Sequence, residues 1–172
     1  MVNQIEAERK FLVKPPSSWI DMAKLFDHIV DVKRIAQSYL LPEEGEPAAR
    51  VRKTISGLTG DTEVCYHYNQ KTPIKPGVHN EKEHEISKVQ YEKHLKQANP
   101  DKFQVEKIRF VFKFKDQIFE LDLFKGRLKG LAILEIELKD IDNDKVELPP
   151  FLTVMKEITT DKRFSNFHLA ER

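Results

Sequence analysis

The chain has 172 residues, enough for one domain with a sizeable core, and its 29 Lys and Arg against 28 Asp and Glu leave a formal net charge of +1. That balance provides no bulk field for nucleic acid or an anionic membrane, so any charged partner must be recognised by local patterning. The single cysteine, Cys65, excludes intramolecular disulfides and multi-cysteine metal sites and is expected to pack.

The opening MVNQIEAERK lacks the apolar stretch of a signal peptide, and no apolar run is long enough to span a bilayer. One cytoplasmic domain over residues 1–172 is therefore expected. The first strand is read over residues 4–12 and stops before Pro15 and Pro16. Ser17 or Ser18 caps a helix running to about Ile29, with Ile20, Ala23, Leu25 and Phe26 as its apolar stripe. Strands follow at 33–41 and 48–55, separated by the turn-rich PEEGEP. A turn at Leu58-Thr-Gly-Asp61 leads into a strand from Glu63 to Lys71, and Thr72 to Gly77, with two prolines, reads as a loop. Glu81 to Ile86 is extended. Ser87 then opens a helix, VQYEKHLKQA, that Asn99-Pro100 ends. Val105–Lys115, Gln117–Phe124 and Gly130–Lys139 read as antiparallel strands, and the tail FLTVMKEITTD with FSNFHLAER as helical pieces. The sum is an α+β chain of about eight strands and a few helices.

Charge alternates along several of these strands. Glu6, Glu8 and Lys10 recur at every second position, as do Arg50 with Arg52, Lys107 with Arg109, and Glu135 with Glu137. Alternate residues of a strand share one sheet face, so each segment lines a face with charge. Ile108, Phe110, Leu134 and Ile136 make the opposite face apolar. One such strand is ordinarily a solvated outer face. Several of the same parity instead suggest an eight-stranded antiparallel closed β-barrel around a polar interior, with helices packed outside. Carboxylates recruit a hard divalent cation and bases recruit phosphate, which suggests a metal-assisted polyphosphate site.

Glu6-Ala-Glu8-Arg-Lys10 is similar to the ExExK signature of the CYTH superfamily, the triphosphate tunnel metalloenzymes. The resemblance continues through Arg50-Val-Arg52, Lys71, Glu83-His-Glu85, Lys107-Ile-Arg109, Glu120-Leu-Asp122 and Glu135-Ile-Glu137, and ends in KEITTDKRFSNFHLA. It implies a tunnel that binds a triphosphate and Mg2+ or Mn2+, with inorganic tripolyphosphate hydrolysis as the leading activity. Thiamine or nucleoside triphosphate hydrolysis is the nearest alternative, a class IV adenylate cyclase a more distant one, and a polyphosphate-binding or sensing module the non-enzymatic one. Neither nucleic acid nor membrane is expected as partner, and a homodimer is compatible with the sequence. Substrate binding falls to Lys10, Arg50, Arg52, Lys71, Lys107 and Arg109, since arginine offers phosphate a planar fork and lysine a compact charge. The metal falls to Glu6, Glu8, Glu135 and Glu137, then Glu83, Glu85 and Asp122. Lys10 with Tyr39 resembles a catalytic dyad of some inorganic triphosphatases, with proton transfer and phosphate orientation both open as its role. Glu81 stands where many bacterial members have arginine, so one expected phosphate contact is missing.

Several of these residues have plain structural readings. Arg50 and Arg52 could pair with Glu83 and Glu85, Asp122 could balance a neighbouring base, and Tyr39 could be strand packing. Lys113 and Lys115 fit a wet strand end, His79 and His84 loop and strand surface, and Cys65 with His67 makes a weak zinc signal. Lys156 and Arg163 could brace the C-terminal segment outside the tunnel.

Overall fold

The computed structural model describes residues 2–57 and 62–172, so the turn expected at Leu58-Thr-Gly-Asp61 lies outside the described residues. Its elements are β1 (Val2–Val13), α1 (Trp19–Phe26), β2 (Ile29–Tyr39), β3 (Ala49–Ser56), β4 (Glu63–Lys75), β5 (Val78–Glu85), α2 (Lys88–Leu95), β6 (Val105–Phe114), β7 (Gln117–Phe124), β8 (Ala132–Leu138), β9 (Val154–Glu157) and α3 (Asn166–Leu169). The strands hydrogen-bond in the order β5-β4-β3-β2-β6-β7-β8-β1, and a further β5–β1 pairing closes them into an eight-stranded antiparallel barrel. Closure removes both sheet edges, which is how a sheet can enclose a polar lumen without exposing backbone.

β1 pairs with three other strands, β5, β8 and β9. One edge pairs with β8 from Ala7 to Leu12, and the other pairs first with β5 from Val2 to Ala7. Beyond β5 the second edge is completed piece by piece. The Glu8 N–H donates to the Gly77 carbonyl at 2.8 Å, the Lys10 N–H to Thr159 Oγ1 at 3.0 Å, and the Ile158 N–H to the Lys10 carbonyl at 2.8 Å. β9 then takes over, with Phe11 opposite Glu157 and Val13 opposite Val154. The tail segment expected to be helical is therefore partly a strand: the exposed edge of β1 offers it ladder partners that a helix would leave unmade.

Outside the barrel, apolar residues of alternating parity build the core. Phe11, Val13, Phe110, Phe112, Phe119, Leu121, Leu134 and Ile136 form the main cluster with Leu25 of α1 and Leu152. The α1 stripe is narrower than the sequence suggests. Leu25 is fully buried, whereas Trp19, Ile20 and Phe26 remain largely exposed, and the helix stops at Phe26 because Ile29 already belongs to β2. A second cluster seats α2 on β3 and β4 through Val51, Tyr66, Tyr68 and Tyr91, and Ser87 and Gln90 close a reciprocal capping box at its start. A third joins Tyr39, Val105, Phe124 and Ile133 to Ile158, Phe164, Phe167 and Ala170, so the C-terminal segment packs over one end of the barrel.

The expected Thr72–Gly77 loop is mostly strand. β4 runs on to Lys75, with Pro73 at a register break where a missing N–H costs no ladder bond. The turn itself falls at Pro76-Gly77. Gly77 has φ +75°, and a Cβ there would lie 2.8 Å from the Glu8 carbonyl oxygen and 2.8 Å from Thr159 Cγ2, besides meeting Ile141. Only glycine allows both the left-handed backbone and the close approach to β1.

Candidate active site

The inward faces of the eight strands line a cavity of about 410 Å³. Glu6, Glu8 and Lys10 come from β1, Arg50 and Arg52 from β3, Lys71 from β4, Glu81 and Glu83 from β5, Lys107 and Arg109 from β6, Glu120 from β7, and Glu135 and Glu137 from β8. With Lys33 of β2 this makes, among the described residues, seven carboxylates against seven bases, so their charges balance before any ligand enters.

The charges are arranged in groups. Lys10 Nζ donates to Glu135 Oε1 at 2.9 Å and lies 3.0 Å from Glu8 Oε1. Burial alone would pull the Lys10 ammonium down, but the Glu135 and Glu8 charges outweigh it and hold its pKa above the usual lysine range. Burial likewise opposes the Glu135 carboxylate, and Lys10, Arg109 and Lys107 hold it well below the ordinary range. Arg109 forks onto Asp122, with Nε to Oδ1 at 2.6 Å and Nη2 to Oδ2 at 2.7 Å, and its Nη2 also donates to Glu135 Oε2 at 2.7 Å. Its Nη1 donates to Glu120. Lys107 Nζ donates to Asp122 Oδ2 at 2.5 Å.

On the facing wall, Arg52 Nη2 grips both oxygens of Glu83 at 3.0 and 2.9 Å. Asn69 donates to Glu83 Oε2 at 3.1 Å and also to Glu81, which lies 3.8 Å from Arg50 Nη2. Lys71 is bonded to Glu6 and stands 4.0 Å from Glu8 and 3.8 Å from Glu81.

At one place two carboxylates face each other across the sheet. Glu137 lies directly opposite Glu8 across β1 and β8, a like-charge pairing that ordinarily destabilises a sheet. Burial, then the carboxylates of Glu120, Glu8 and Glu81, push the Glu137 pKa up, with Lys71 working against them. Glu6 is also raised, first by burial, although Lys71 opposes the shift. One ligand atom each of Glu6, Glu8 and His79 lie within 4.8 Å of one another. Burial opposes the Glu8 carboxylate as well, but Lys10 and Lys71 outweigh it and hold its pKa below the ordinary range. Two carboxylates and an imidazole so close together are a donor set that fits a divalent cation in exchange for these lysine contacts.

The structure sorts the residues singled out from the sequence. Lys10, Arg50, Arg52, Lys71, Lys107, Arg109, Glu6, Glu8, Glu83, Glu135 and Glu137 all line the cavity. Glu85 does not: it is the last residue of β5 and is exposed, leaving Glu81 and Glu83 as the pair facing inward. Asp122 has inward parity but is fully buried behind Lys107 and Arg109, where it braces the bases rather than facing the lumen. Tyr39 borders an adjoining cavity of about 680 Å³ together with Lys10. Its ring meets Phe167 edge-on at 5.1 Å, and it stands opposite Arg50 across β2 and β3. No hydrogen bond joins Lys10 to Tyr39 among the described residues. Lys113 and Lys115 pair at the surface with Asp116 and Glu147, and Lys156 and Arg163 with Asp161, all outside the cavity.

Glu81, Asn69, Gln37 and His79 were missed as site residues, although parity could have found them. His79, Glu81 and Glu83 alternate on β5, Asn69 and Lys71 on β4, and Gln37 and Tyr39 on β2. The remaining lining, Ile35, Gln37, Thr54, Ser56, Cys65, His67 and Asn166, carries no carboxylate, lysine or arginine, and within β2, β3 and β4 it shares the inward face with the charged residues, Gln37 and His67 flanking Arg52 from either side.

A sequence profile of the CYTH domain matches residues 4–163. Among curated proteins, an inorganic triphosphatase of Nitrosomonas europaea is 41% identical over 68 residues, covering 39% of this chain and 44% of that protein. An inorganic triphosphatase of Acetivibrio thermocellus is 34% identical over 94 residues, covering 50% and 58%. These sequence matches thus span about half the length of the two curated relatives. The crystal structure of an inorganic triphosphatase superposes with a TM-score of 0.59 at 28% identity, covering 96% of this chain and 93% of the other. A protein from Pyrococcus horikoshii OT3 shares the fold at TM-score 0.51 and 19% identity, over 80% of each chain.

Proposed function

The chain belongs to the CYTH domain family, and from that premise we propose that it is a cytoplasmic, single-domain, metal-dependent inorganic triphosphatase that hydrolyses tripolyphosphate to pyrophosphate and phosphate. The observation that carries this reading is the closed ring of opposed charge: seven fixed bases converge on one lumen beside an acidic wall. A linear triphosphate is too anionic for bases alone that are already paired, and the clustered carboxylates of Glu6, Glu8 and Glu137 supply a place for Mg2+ or Mn2+. The names of the two curated relatives support the same substrate.

The residues divide the work by chemistry. Arg50, Arg52, Lys107 and Arg109 donate to phosphate oxygens, Arg50 and Arg52 exchanging Glu81 and Glu83 for substrate while Lys107 and Arg109 stay bonded to Asp122. Lys71 leaves Glu6 for the same purpose. Lys10, held charged by Glu8 and Glu135, orients a phosphoryl group rather than abstracting a proton. Asp122 and Glu135 fix the directions of these bases. Tyr39 packs beside Arg50 at the end covered by the C-terminal segment. Glu6, Glu8 and Glu137 would hold the divalent ion, which would supply charge neutralisation for the polyphosphate and a more acidic water.

Purified protein with Mg2+ or Mn2+ is expected to release phosphate from tripolyphosphate faster than from ATP or thiamine triphosphate. An organic triphosphate is the second reading, favoured by the neutral stretch of Gln37, Thr54, Ser56 and His67, which could receive an organic group. Faster release from ATP or thiamine triphosphate would support it. Cyclic AMP production would indicate cyclase chemistry, and tight tripolyphosphate binding without turnover a sensing module.

A further inference from the structure

We propose that His79 supplies an imidazole nitrogen to the divalent-metal site beside Glu6 and Glu8, tilting that site from Mg2+ towards transition-metal ions such as Mn2+. This deepens the metal-dependent reading above and rests on it.

Three observations converge. The barrel-closing ladder sets His79 directly opposite Glu6, so two residues distant in sequence share a cross-strand pair. The ligand atoms of His79, Glu6 and Glu8 come within 4.8 Å of one another, close enough to surround one ion. His79 Nδ1 is also buried without a hydrogen-bond partner among the described residues, as are the Nδ1 atoms of His67, His84 and His94, and of these four histidines His79 is the one grouped with Glu6 and Glu8.

The local backbone holds this arrangement. Gly77 turns the chain two residues before His79, and its carbonyl accepts from the Glu8 N–H at 2.8 Å, tying the start of β5 to the acidic segment of β1. His79 and Glu8 both border the larger cavity at this end of the lumen, which offers an ion a route in.

The donor set has a chemical consequence. Carboxylates alone suit Mg2+, Ca2+ and Mn2+, whereas a neutral imidazole adds a softer nitrogen that Mg2+ uses poorly and later divalent ions bind well. Two carboxylates with one imidazole therefore distinguish this site from the all-oxygen site read from the sequence.

Mn2+ is the probe. Pulsed electron paramagnetic resonance on Mn2+-loaded wild-type protein, with natural-abundance and 15N-histidine labelling, is expected to show a coupled histidine nitrogen that disappears in His79→Gln. Calorimetry is expected to show Mn2+ affinity falling on the order of tenfold in His79→Gln while Mg2+ affinity changes less than about threefold. Bound Mn2+ without histidine coupling in the wild type would overturn the proposal, as would equal loss of affinity for both ions. The wild-type spectrum decides this even if the variant folds poorly. Phosphate release from tripolyphosphate with Mg2+ is measured separately: hydrolysis without nitrogen coupling defeats the His79 assignment alone, and nitrogen coupling without hydrolysis under any divalent ion defeats the triphosphatase reading alone. Failure to bind Mn2+ at millimolar concentration defeats the His79 assignment.

Discussion

Arg52 gives the cleanest test of a single side chain. It faces the lumen and is held by Glu83, but it does not support a fully buried carboxylate, whereas removing Arg109 would strip two of the contacts that satisfy Asp122. Arg52→Ala is therefore expected to weaken tripolyphosphate binding or turnover by about 1.5–3 kcal/mol, roughly a tenfold to hundredfold defect. Lys115→Ala removes an exposed pair with Glu147 and is expected to change either by less than about 0.5 kcal/mol. Steady-state kinetics on both variants checks the contrast, and equal effects would contradict an inward basic lining. Lys10 tests charge against basicity. Its folded pKa lies above the ordinary 10.5, so its contribution to stability is fully present below that value and is lost only as pH rises through the higher folded value. Lys10 should thus stay charged from pH 7 to 10. Lys10→Arg is expected to retain more turnover than Lys10→Met across that range, whereas a proton-accepting lysine would make both variants equally poor.

The turn between β4 and β5 governs a larger piece of the site. Gly77→Ala must place a Cβ against the Glu8 carbonyl and adopt a left-handed backbone, the latter alone costing about 1–2 kcal/mol. The expected outcome is lower stability in urea together with weaker Mn2+ binding, because the displaced segment carries Glu8 on one side and His79 two residues along. Unchanged stability and affinity would mean that the turn relaxes freely. This element also shows where local sequence signals stopped. Pro73 and Pro76 made the whole Thr72–Gly77 stretch read as a loop, yet β4 continues past Pro73 because a register break absorbs the missing donor. The C-terminal strand β9 was hidden for a related reason: it is short, and its partner edge on β1 exists only once β5 has diverged.

Across the whole molecule, folding concentrates like charge that a ligand can relieve. Glu137 opposes Glu8, and its raised pKa means that keeping it ionised at neutral pH works against the fold. Removing that charge should stabilise the metal-free protein. Glu137→Gln is expected to raise its melting temperature by about 1–4 °C, given a few tenths to 1 kcal/mol for a cross-strand like-charge pair, and to reduce the further rise produced by Mn2+. A melting temperature lowered by the substitution, with the full Mn2+ increment retained, would remove Glu137 from the acidic wall. Tripolyphosphate with Mn2+ at about 100 times the dissociation constant should add about 2.7 kcal/mol to wild-type stability, readable as a thermal shift. At the same concentrations Arg52→Ala should show a smaller shift.

The sequence by itself determined the parity of the strands. Period-two alternation is local, so it marked Glu6 with Glu8 and Lys10, Arg50 with Arg52, Lys107 with Arg109, and Glu135 with Glu137 as same-face groups, and the apolar residues between them as the outer core. Which of these charges meet was decided only by tertiary structure, because register is fixed by pairing between distant strands and by where each strand ends. That is why Glu85 ends exposed although it shares parity with Glu81 and Glu83, why Asp122 lies beneath the lining, and why His79, read as surface, stands opposite Glu6 when β5 closes the barrel onto β1.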